Sequence, residues 1–201
     1  MSLRQQNKAK VRARILDAAE QLIAENGAAT TTTREIASHA GISYQTLYNY
    51  FPSKPLMLYA IMEEEIANWG GAVQDAIKQY RGNLMEVLSE INRIGLTSFS
   101  GEKNELWREI SSAMFQHSFN ANQYTALNQV AHDRYYALLS MAQGTGELRK
   151  DVDLHLLSHT LLCLTDYAYL TYLLSEQDDP DTLLQTLQEQ LALVTTPYLG
   201  E

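Results

Sequence analysis

Between Gly41 and Leu58 the chain carries uncharged polar and aromatic side chains that can form hydrogen bonds without repelling a phosphate. The stretch reads GISYQTLYNYFPSKPLML and contains no acidic residue, although the whole chain has a formal net charge of -9. Tyrosine rings can touch thymine methyl groups, and hydroxyl and amide groups can bond base edges and phosphates. These residue types indicate a surface that contacts a nucleic acid. Its candidate members are Tyr44, Gln45, Thr46, Tyr48, Asn49 and Tyr50.

Two cations, Arg34 before this stretch and Lys54 within it, suit the same partner. Arg34 has a planar guanidinium that can grip a phosphate or a guanine edge. Lys54 lies at the predicted start of a helix, where its ammonium group and the exposed backbone N–H groups can share one phosphate.

Local signals predict the short helices that would position these residues. Thr32 and Glu35 fit a capping box, which starts a helix near Thr33 that ends at Gly41. Ser43 can cap the next helix, which runs to about Phe51. Gly41 can supply the positive φ that a tight turn between them needs. This is a helix-turn-helix pattern, although short helix pairs with a glycine turn also occur as plain structure.

The rest of the chain also reads as helical. Apolar residues from Val11 to Ile23 recur at helical spacing, and Asn26-Gly27 ends that first helix. Further helices are predicted near residues 54–80 (with Gly70-Gly71 as a candidate interruption), 83–98, 103–118, 122–143, 153–176 and 180–196. The fold class is therefore all-α, with about nine helices. A helix-turn-helix domain is predicted over residues 1–54 and a ligand-binding and dimerisation domain over residues 55–201.

Charge is divided unevenly along the chain. Residues 1–54 hold seven Lys/Arg against four Asp/Glu, whereas the remainder holds eight against twenty. A basic N-terminal part followed by an acidic remainder suggests that only residues 1–54 contact a polyanion, although a short basic segment can also be a solvated helix face. A single cysteine excludes an internal disulfide, and no apolar run is long enough for a bilayer span or a signal-peptide core. A cytoplasmic protein without membrane contact is expected.

The helix-turn-helix region resembles the DNA-binding domain of the tetracycline-repressor (TetR) family of bacterial transcription regulators. The resemblance covers about residues 10 to 60 without gaps. It is carried by Ile15-Leu16-Asp17-Ala18-Ala19, Asn26-Gly27, Thr31-Thr32-Thr33-Arg34-Glu35-Ile36-Ala37, Ala40-Gly41-Ile42-Ser43, Thr46-Leu47-Tyr48-Asn49-Tyr50-Phe51 and Ser53-Lys54.

The resemblance implies a role for each matching position. Base edges would be faced by Arg34, Tyr44, Gln45 and Tyr48, and phosphates would be held by Thr33, Thr46, Asn49, Tyr50 and Lys54. The arm from Arg4 to Arg14 would add phosphate or minor-groove contacts, and such arms are often disordered without DNA. Many relatives carry small residues at the Tyr44-Gln45 positions, so the operator sequence cannot be transferred.

The resemblance also implies a homodimer, formed by the last two long helices of each subunit, and an effector cavity among the middle helices. The candidate effector-binding residues are Trp107, Met114, Phe115, His117, Tyr135, Asp166 and Tyr169. Large aromatic residues at helical spacing are also typical of a core. Asp166 lies in the apolar stretch LLCLTDYAYLTYLL. It could meet a cationic ligand, or pair with Arg108, Arg134 or tyrosine hydroxyls.

Other kinds of site are less well supported by the sequence. His155, His159 and Cys163 share one helix face, but zinc needs further ligands and the third residue lies two turns away, so no metal or cofactor is expected. No Ser-His-Asp set, phosphate-binding glycine loop or paired carboxylates can be recognised, so no enzyme is expected. We therefore expect a transcription regulator, a repressor released from a palindromic double-stranded DNA operator by a small-molecule inducer. The alternative is a DNA-binding structural or protein-interaction factor of the same fold that has no inducer.

Overall fold

The computed structural model describes residues 2–101, 104–115, 121–175 and 179–200, with the backbone alone for 113–115 and 121–127. Within these ranges the chain forms nine α-helices, a 3-10 turn at Thr196–Tyr198 and one isolated β-bridge, and it contains no strand. The helices are α1 Leu3–Asn26, α2 Thr33–His39, α3 Tyr44–Tyr50, α4 Lys54–Lys78, α5 Leu84–Phe99, α6 Asn104–Phe115, α7 Ala121–Thr145, α8 Leu154–Leu174 and α9 Pro180–Thr195. The all-α prediction is confirmed. None of these described helices combines the length and the apolar composition of a bilayer span.

The basic arm at the N-terminus differs from its expectation. Residues from Arg4 to Arg14 belong to α1, which begins at Leu3 rather than after an irregular arm. Ser2 caps the helix, because its hydroxyl accepts from Gln5 N–H while the Gln5 side chain accepts from Ser2 N–H. This capping box satisfies two backbone donors that the first helical turn would otherwise leave open.

The candidate interruption at Gly70-Gly71 is also absent, since α4 continues through both glycines. Each glycine in a helix interior costs about 1 kcal/mol relative to alanine, which a helix of 25 residues tolerates when its faces are packed.

The helices group into two compact units. Unit 1 comprises Met1–Ile66 and Gly101–Phe119, and unit 2 comprises Ala67–Ser100 and Asn120–Glu201. Unit 1 holds α1, α2, α3, α6 and the first part of α4; unit 2 holds the rest of α4 with α5, α7, α8 and α9. The units group helices by packing and not by function, so the domain boundary after residue 54 stays a prediction.

Each unit has its own apolar core. In unit 1 the inward sides of the first three helices meet through fully or nearly fully buried Ile15, Leu16, Ile36 and Leu47. In unit 2 one contiguous cluster joins α5, α7, α8 and α9. Its most deeply buried members include Leu84, Leu88, Leu138, Leu139, Leu148, Leu161 and Leu191.

Candidate functional site

The turn between α2 and α3 follows from three local hydrogen bonds and one glycine. Gly41 has φ +65° and its N–H donates to Ser38 O, while Ile42 N–H donates to Ala37 O. This pair of bonds is a Schellman motif, which ends a helix with a left-handed residue. Ser43 then accepts from Thr46 N–H at 3.1 Å and starts α3. The predicted turn is therefore built by backbone geometry that a glycine adopts without strain.

One face of α3 is buried and the other lies open. Leu47 is buried, whereas Tyr44 and Tyr48 are 45% and 48% exposed, with ring centroids 6.5 Å apart. On the same open side Gln45 Nε2 donates to Asn49 Oδ1 at 3.2 Å. The outcome is a polar, aromatic surface of the kind that fits a major groove.

Arg34 on α2 extends this surface. Its guanidinium carbon lies 5.7 Å from the centre of the Tyr44 ring, within the range of a cation–π contact. The predicted DNA contacts thus lie on α2, on α3 and at the first residue of α4. Exposed among them are Arg34, Tyr44, Gln45, Tyr48 and Asn49; partly buried are Thr33, Thr46, Tyr50 and Lys54.

The acid nearest to this surface in the sequence is engaged at a helix end. Glu35 accepts from both the backbone N–H and the hydroxyl of Thr32, each at 2.8 Å. The backbone bond, then the hydroxyl bond, lowers the pKa of Glu35. Its carboxylate therefore neutralises the N-terminal dipole of α2.

Lys54 has an inward contact that the sequence does not indicate. Its ammonium group donates to the carbonyl of Ala28, and desolvation by burial lowers its pKa against the attraction of Glu109. To hold a phosphate, the side chain would have to leave this carbonyl. The basic residues Arg4, Lys8, Lys10 and Arg14 of α1, by contrast, are exposed.

The effector-binding candidates are distributed over both units. Trp107 is 3% exposed and belongs to unit 1, whereas Tyr135, Asp166 and Tyr169 belong to unit 2. Three further candidates, the side chains of Met114, Phe115 and His117, lie outside the described residues.

Tyr135 and Tyr169 belong to a buried polar network that the sequence reasoning missed. Asn92 is fully buried, and its Oδ1 accepts from Tyr135 Oη at 3.4 Å, Thr165 Oγ1 at 3.2 Å and Tyr169 Oη at 3.3 Å. Tyr135 and Thr165 also share a 2.9 Å bond, while Asn92 donates to Leu88 O at 2.7 Å. The missed signal is an asparagine one turn after Leu88 on the apolar face of an amphipathic helix.

Burial keeps the two tyrosines in their neutral form. It raises the pKa of Tyr135 to about 12, although bonds to Thr165 and Asn92 oppose it and nearby Asp166 adds to it. Burial likewise raises the pKa of Tyr169 well above its ordinary value. Both phenols therefore act as hydrogen-bond donors to Asn92 rather than as acids.

Asp166 lies beside this network without joining it. It is partly buried and forms no hydrogen bond or ion pair with any residue that the structure describes, so the expected pairing with Arg108, Arg134 or tyrosine hydroxyls is not observed. Burial raises the pKa of Asp166 to about 6, although the charge of His159 acts to lower it. An uncompensated carboxylate in an apolar helix is costly in its charged form.

Because the raised pKa of Asp166 reflects an unfavourable charged form in the folded state, we expect the free energy of unfolding to depend on pH. The pKa of Asp166 is about 6 when folded and ordinarily 3.8. The folded state therefore holds an extra proton between these values, and stability is lost as pH rises from about 4 through 6. Asp166→Asn should remove this loss and raise the free energy of unfolding at pH 7 by about 1–2 kcal/mol, after allowance for partial solvent exposure. Urea unfolding of both proteins from pH 4 to 8 measures the difference, and parallel curves would contradict the assignment.

Two other clusters in unit 2 contain reactive residue types. His159 Nε2 lies 3.7 Å from Cys163 Sγ, while the His155 ring stacks on Tyr136 at 4.5 Å. Within the described residues, no three His, Cys, Asp or Glu side chains are grouped to hold a metal ion.

The structure also brings together a serine, a histidine and an aspartate. Ser158 Oγ lies 2.8 Å from His132 Nε2, and His132 Nδ1 lies 3.5 Å from Asp133 Oδ1. Ser158 is fully buried and also donates to His155 O at 3.0 Å. A catalytic nucleophile must reach its substrate, whereas this hydroxyl is bonded inside the helix pair. The arrangement joins α7 to α8.

Apolar side chains also lie open along α8 and α9. Leu193 is 76% and Leu156 is 65% exposed, and Tyr167 and Leu174 are exposed as well. Other leucines of these two helices are buried inside the subunit, namely Leu157, Leu161, Leu162, Leu173, Leu187 and Leu191. Side chains of this size on neighbouring helices are typical of a protein–protein surface.

Comparison with known proteins supports the helix-turn-helix assignment. The family model described as bacterial regulatory proteins of the tetR family matches residues 15–61. The chain is 34% identical over 110 residues to YvkB, an uncharacterised HTH-type transcriptional regulator of Bacillus subtilis. That alignment covers 53% of this chain and 55% of YvkB, so the chain matches about half of that relative's length.

Two further relatives match over most of the chain. The fatty acid metabolism regulator protein of Bacillus subtilis is 23% identical over 167 residues, covering 81% of this chain and 84% of that protein. The structure of Thermus thermophilus FadR, a TetR-family repressor solved with lauroyl-CoA, superposes with a TM-score of 0.73 and 24% identity, covering 91% of this chain and 92% of that one. The family-model match thus runs from within α1 to the first part of α4, and the fold of the chain is similar to the fold of the Thermus thermophilus protein.

Proposed function

We propose that this protein is a ligand-responsive repressor that binds a palindromic operator and is released by a small-molecule effector. The observation that carries the proposal is the open face of α3, where Tyr44 and Tyr48 lie beside Gln45 and Asn49 with no acid among them. Neutral donors, acceptors and rings on a helix that protrudes from a three-helix core suit readout of base edges. For a bacterial DNA-binding regulator the place of action is the cytoplasm.

A homodimer is part of this proposal. One recognition helix covers too few base pairs for useful specificity, whereas a twofold pair reads two half-sites. The exposed side chains of Leu156, Tyr167, Leu174 and Leu193 support α8 and α9 as the dimer surface. Their burial in a partner would remove them from water.

The release step requires differential binding. An effector dissociates the complex only if it binds the DNA-free form more tightly, and the ratio of the two affinities limits the response. The similarity to Thermus thermophilus FadR, solved with lauroyl-CoA, supports an effector site in this chain without naming its ligand.

A specific observation favours the alternative of a DNA-binding factor without an effector. The hydroxyls of Tyr135 and Tyr169, two of the predicted ligand contacts, are already satisfied by Asn92. A ligand would have to displace these internal bonds. We do not propose an enzyme, since the serine of the Ser158–His132 pair is buried.

The proposal is tested by selecting bound fragments from sheared source-genome DNA with the purified protein at near-physiological salt, followed by sequencing. Enrichment of a palindrome would support a dimeric regulator, and its neighbouring genes would indicate a pathway whose metabolites can be tested for release. If no fragment is enriched, with or without extracts of small molecules, simple repression by this protein is wrong.

Salt should weaken operator binding steeply. Of the seven Lys/Arg in residues 1–54, Arg12 pairs with Glu64, which leaves Arg4, Lys8, Lys10, Arg14, Arg34 and Lys54 as candidate phosphate contacts. If three of them reach phosphates, a dimer neutralises about six, and the affinity should fall roughly a thousandfold between about 50 and 200 mM salt. Fluorescence anisotropy with labelled operator measures the slope. Replacing Lys8 and Lys10 by glutamine should make the slope shallower, and a flat response in the unmodified protein would contradict phosphate binding.

A further inference from the structure

An arginine in unit 2 has no acidic partner among the residues that the structure describes. Arg134 on α7 is partly buried and forms no hydrogen bond or ion pair with any residue in the described ranges. Other arginines of this unit differ, since Arg93 bonds Glu90 at 2.7 Å and Arg149 bonds Asp151 at 3.0 Å. Desolvation lowers the pKa of Arg134, with no opposing effect of a nearby carboxylate. A guanidinium in this state gains free energy from any anion that reaches it.

A second unsatisfied donor lies beside this guanidinium. The Arg134 guanidinium carbon is 5.5 Å from the centre of the Trp69 ring on α4. The Trp69 Nε1 atom is buried and has no hydrogen-bond acceptor among the residues described. The guanidinium and the indole N–H can only donate hydrogen bonds, so a ligand that satisfies both must offer acceptor atoms.

Gly70 makes room for this arrangement. A Cβ at Gly70 would lie 2.3 Å from Arg134 Nη2, closer than atoms can approach, whereas a Cβ at Gly71 would meet nothing within 4 Å. The absence of a side chain at Gly70 therefore lets the guanidinium lie against α4. Gly71, in the same helix and without this contact, is its matched comparison.

We infer that Arg134 and Trp69 form a binding site for the oxyanion group of a small molecule, a carboxylate or a phosphate monoester. The inference rests on the proposed function, because it assigns the chemical class of the effector. The guanidinium fork can hold two oxygens, and the indole N–H can donate to one of them. Trp69 packs against the apolar core of unit 2, so the anion would be carried by a molecule with an apolar part. The site at Arg134 and Trp69 would bind a negatively charged group, whereas a ligand site at Asp166 would bind a cation.

The test uses four probes that share one alkyl chain: octanoate, octyl phosphate, octanol and octylamine. Binding is followed by tryptophan fluorescence of the full-length protein, with Trp69→Phe identifying the contribution of Trp69 against Trp107. Saturable binding of octanoate, of octyl phosphate or of both supports the site, and their ratio identifies the preferred oxyanion. Failure of both anions to bind, or equal binding of octanol or octylamine, overturns it.

Variants separate the site from general effects on folding. Arg134→Gln should weaken anion binding at least about tenfold, because it removes a charged hydrogen bond. Gly70→Ala should weaken it by displacing the guanidinium, and Gly71→Ala should not. Both substitutions raise helix propensity equally, so an equal loss of anion affinity in Gly71→Ala would overturn the assignment to Arg134.

Operator binding without any probe distinguishes this inference from the function on which it rests. If the protein binds DNA but neither anion binds at Arg134, the oxyanion site is wrong and DNA-binding regulation stands. If the anions bind in an Arg134-dependent way but no DNA is selected, the site stands and the proposed repressor function is wrong.

Discussion

Tyr48→Ala should abolish specific operator binding while leaving the protein folded. Tyr48 is 48% exposed at the centre of the open face of α3, so its loss removes little buried area. A base contact contributes roughly 1–3 kcal/mol, and a dimer loses it twice, which corresponds to a fall in affinity of roughly 30-fold to 10⁴-fold. Anisotropy with a selected operator measures the affinity, and circular dichroism during heating measures the fold.

Tyr48→Phe is the matched control for this prediction. It keeps the ring that can touch a thymine methyl group and removes only the hydroxyl, so it should lose less affinity than alanine. An unchanged affinity of Tyr48→Ala would show that α3 does not read DNA through this position. An equal loss of folding would show that Tyr48 acts by packing.

Asn92→Leu should be among the most destabilising single substitutions in unit 2. The side-chain oxygen of Asn92 accepts from three buried hydroxyl groups, those of Tyr135, Thr165 and Tyr169. Leucine has the same branching of side-chain heavy atoms, although its methyl groups are larger, and it accepts no hydrogen bond, so at least one buried donor loses its acceptor. The expected cost is roughly 2–4 kcal/mol, which lowers the melting temperature by roughly 5–15 °C for a chain of this size. Urea unfolding at fixed protein concentration measures it, since a dimer's stability depends on concentration.

A compensated variant checks the cause. Asn92→Leu combined with Tyr135→Phe and Thr165→Val removes two of the three donors along with their acceptor, and Tyr169 can still donate to the backbone carbonyl of residue 92, so the variant should recover part of the lost stability. A cost below about 1 kcal/mol for Asn92→Leu alone would mean that water or a rearranged hydroxyl satisfies the network.

The helix-turn-helix geometry could be predicted because it is encoded locally. Thr32 and Glu35 cap α2 three residues apart, and Gly41 adopts the positive φ that its position indicates. The same rule would have found the start of α1, since Ser2 and Gln5 have capping-box spacing. The expectation of an irregular arm came from the resemblance and overrode this local signal.

The candidate effector region could be predicted only by residue type. Aromatic residues at helical spacing identify Tyr135 and Tyr169 as buried, but not which partners they meet. The bond from Tyr135 to Asn92 spans 43 positions and that from Tyr169 spans 77. Such contacts depend on how α5, α7 and α8 pack, and this packing cannot be read from a single sequence.

By itself, the sequence determined the all-α class, the helix order and the open face of α3. These follow from helical periodicity, caps and turns, whose energies act between residues at most about four positions apart. Only the tertiary structure decided which polar groups are satisfied. It paired Lys54 with Ala28, enclosed Asn92 among hydroxyls, and left Asp166 and Arg134 without a hydrogen bond or ion pair to any described residue. Burial of a charge depends on the whole environment around it, which forms only when distant helices come together.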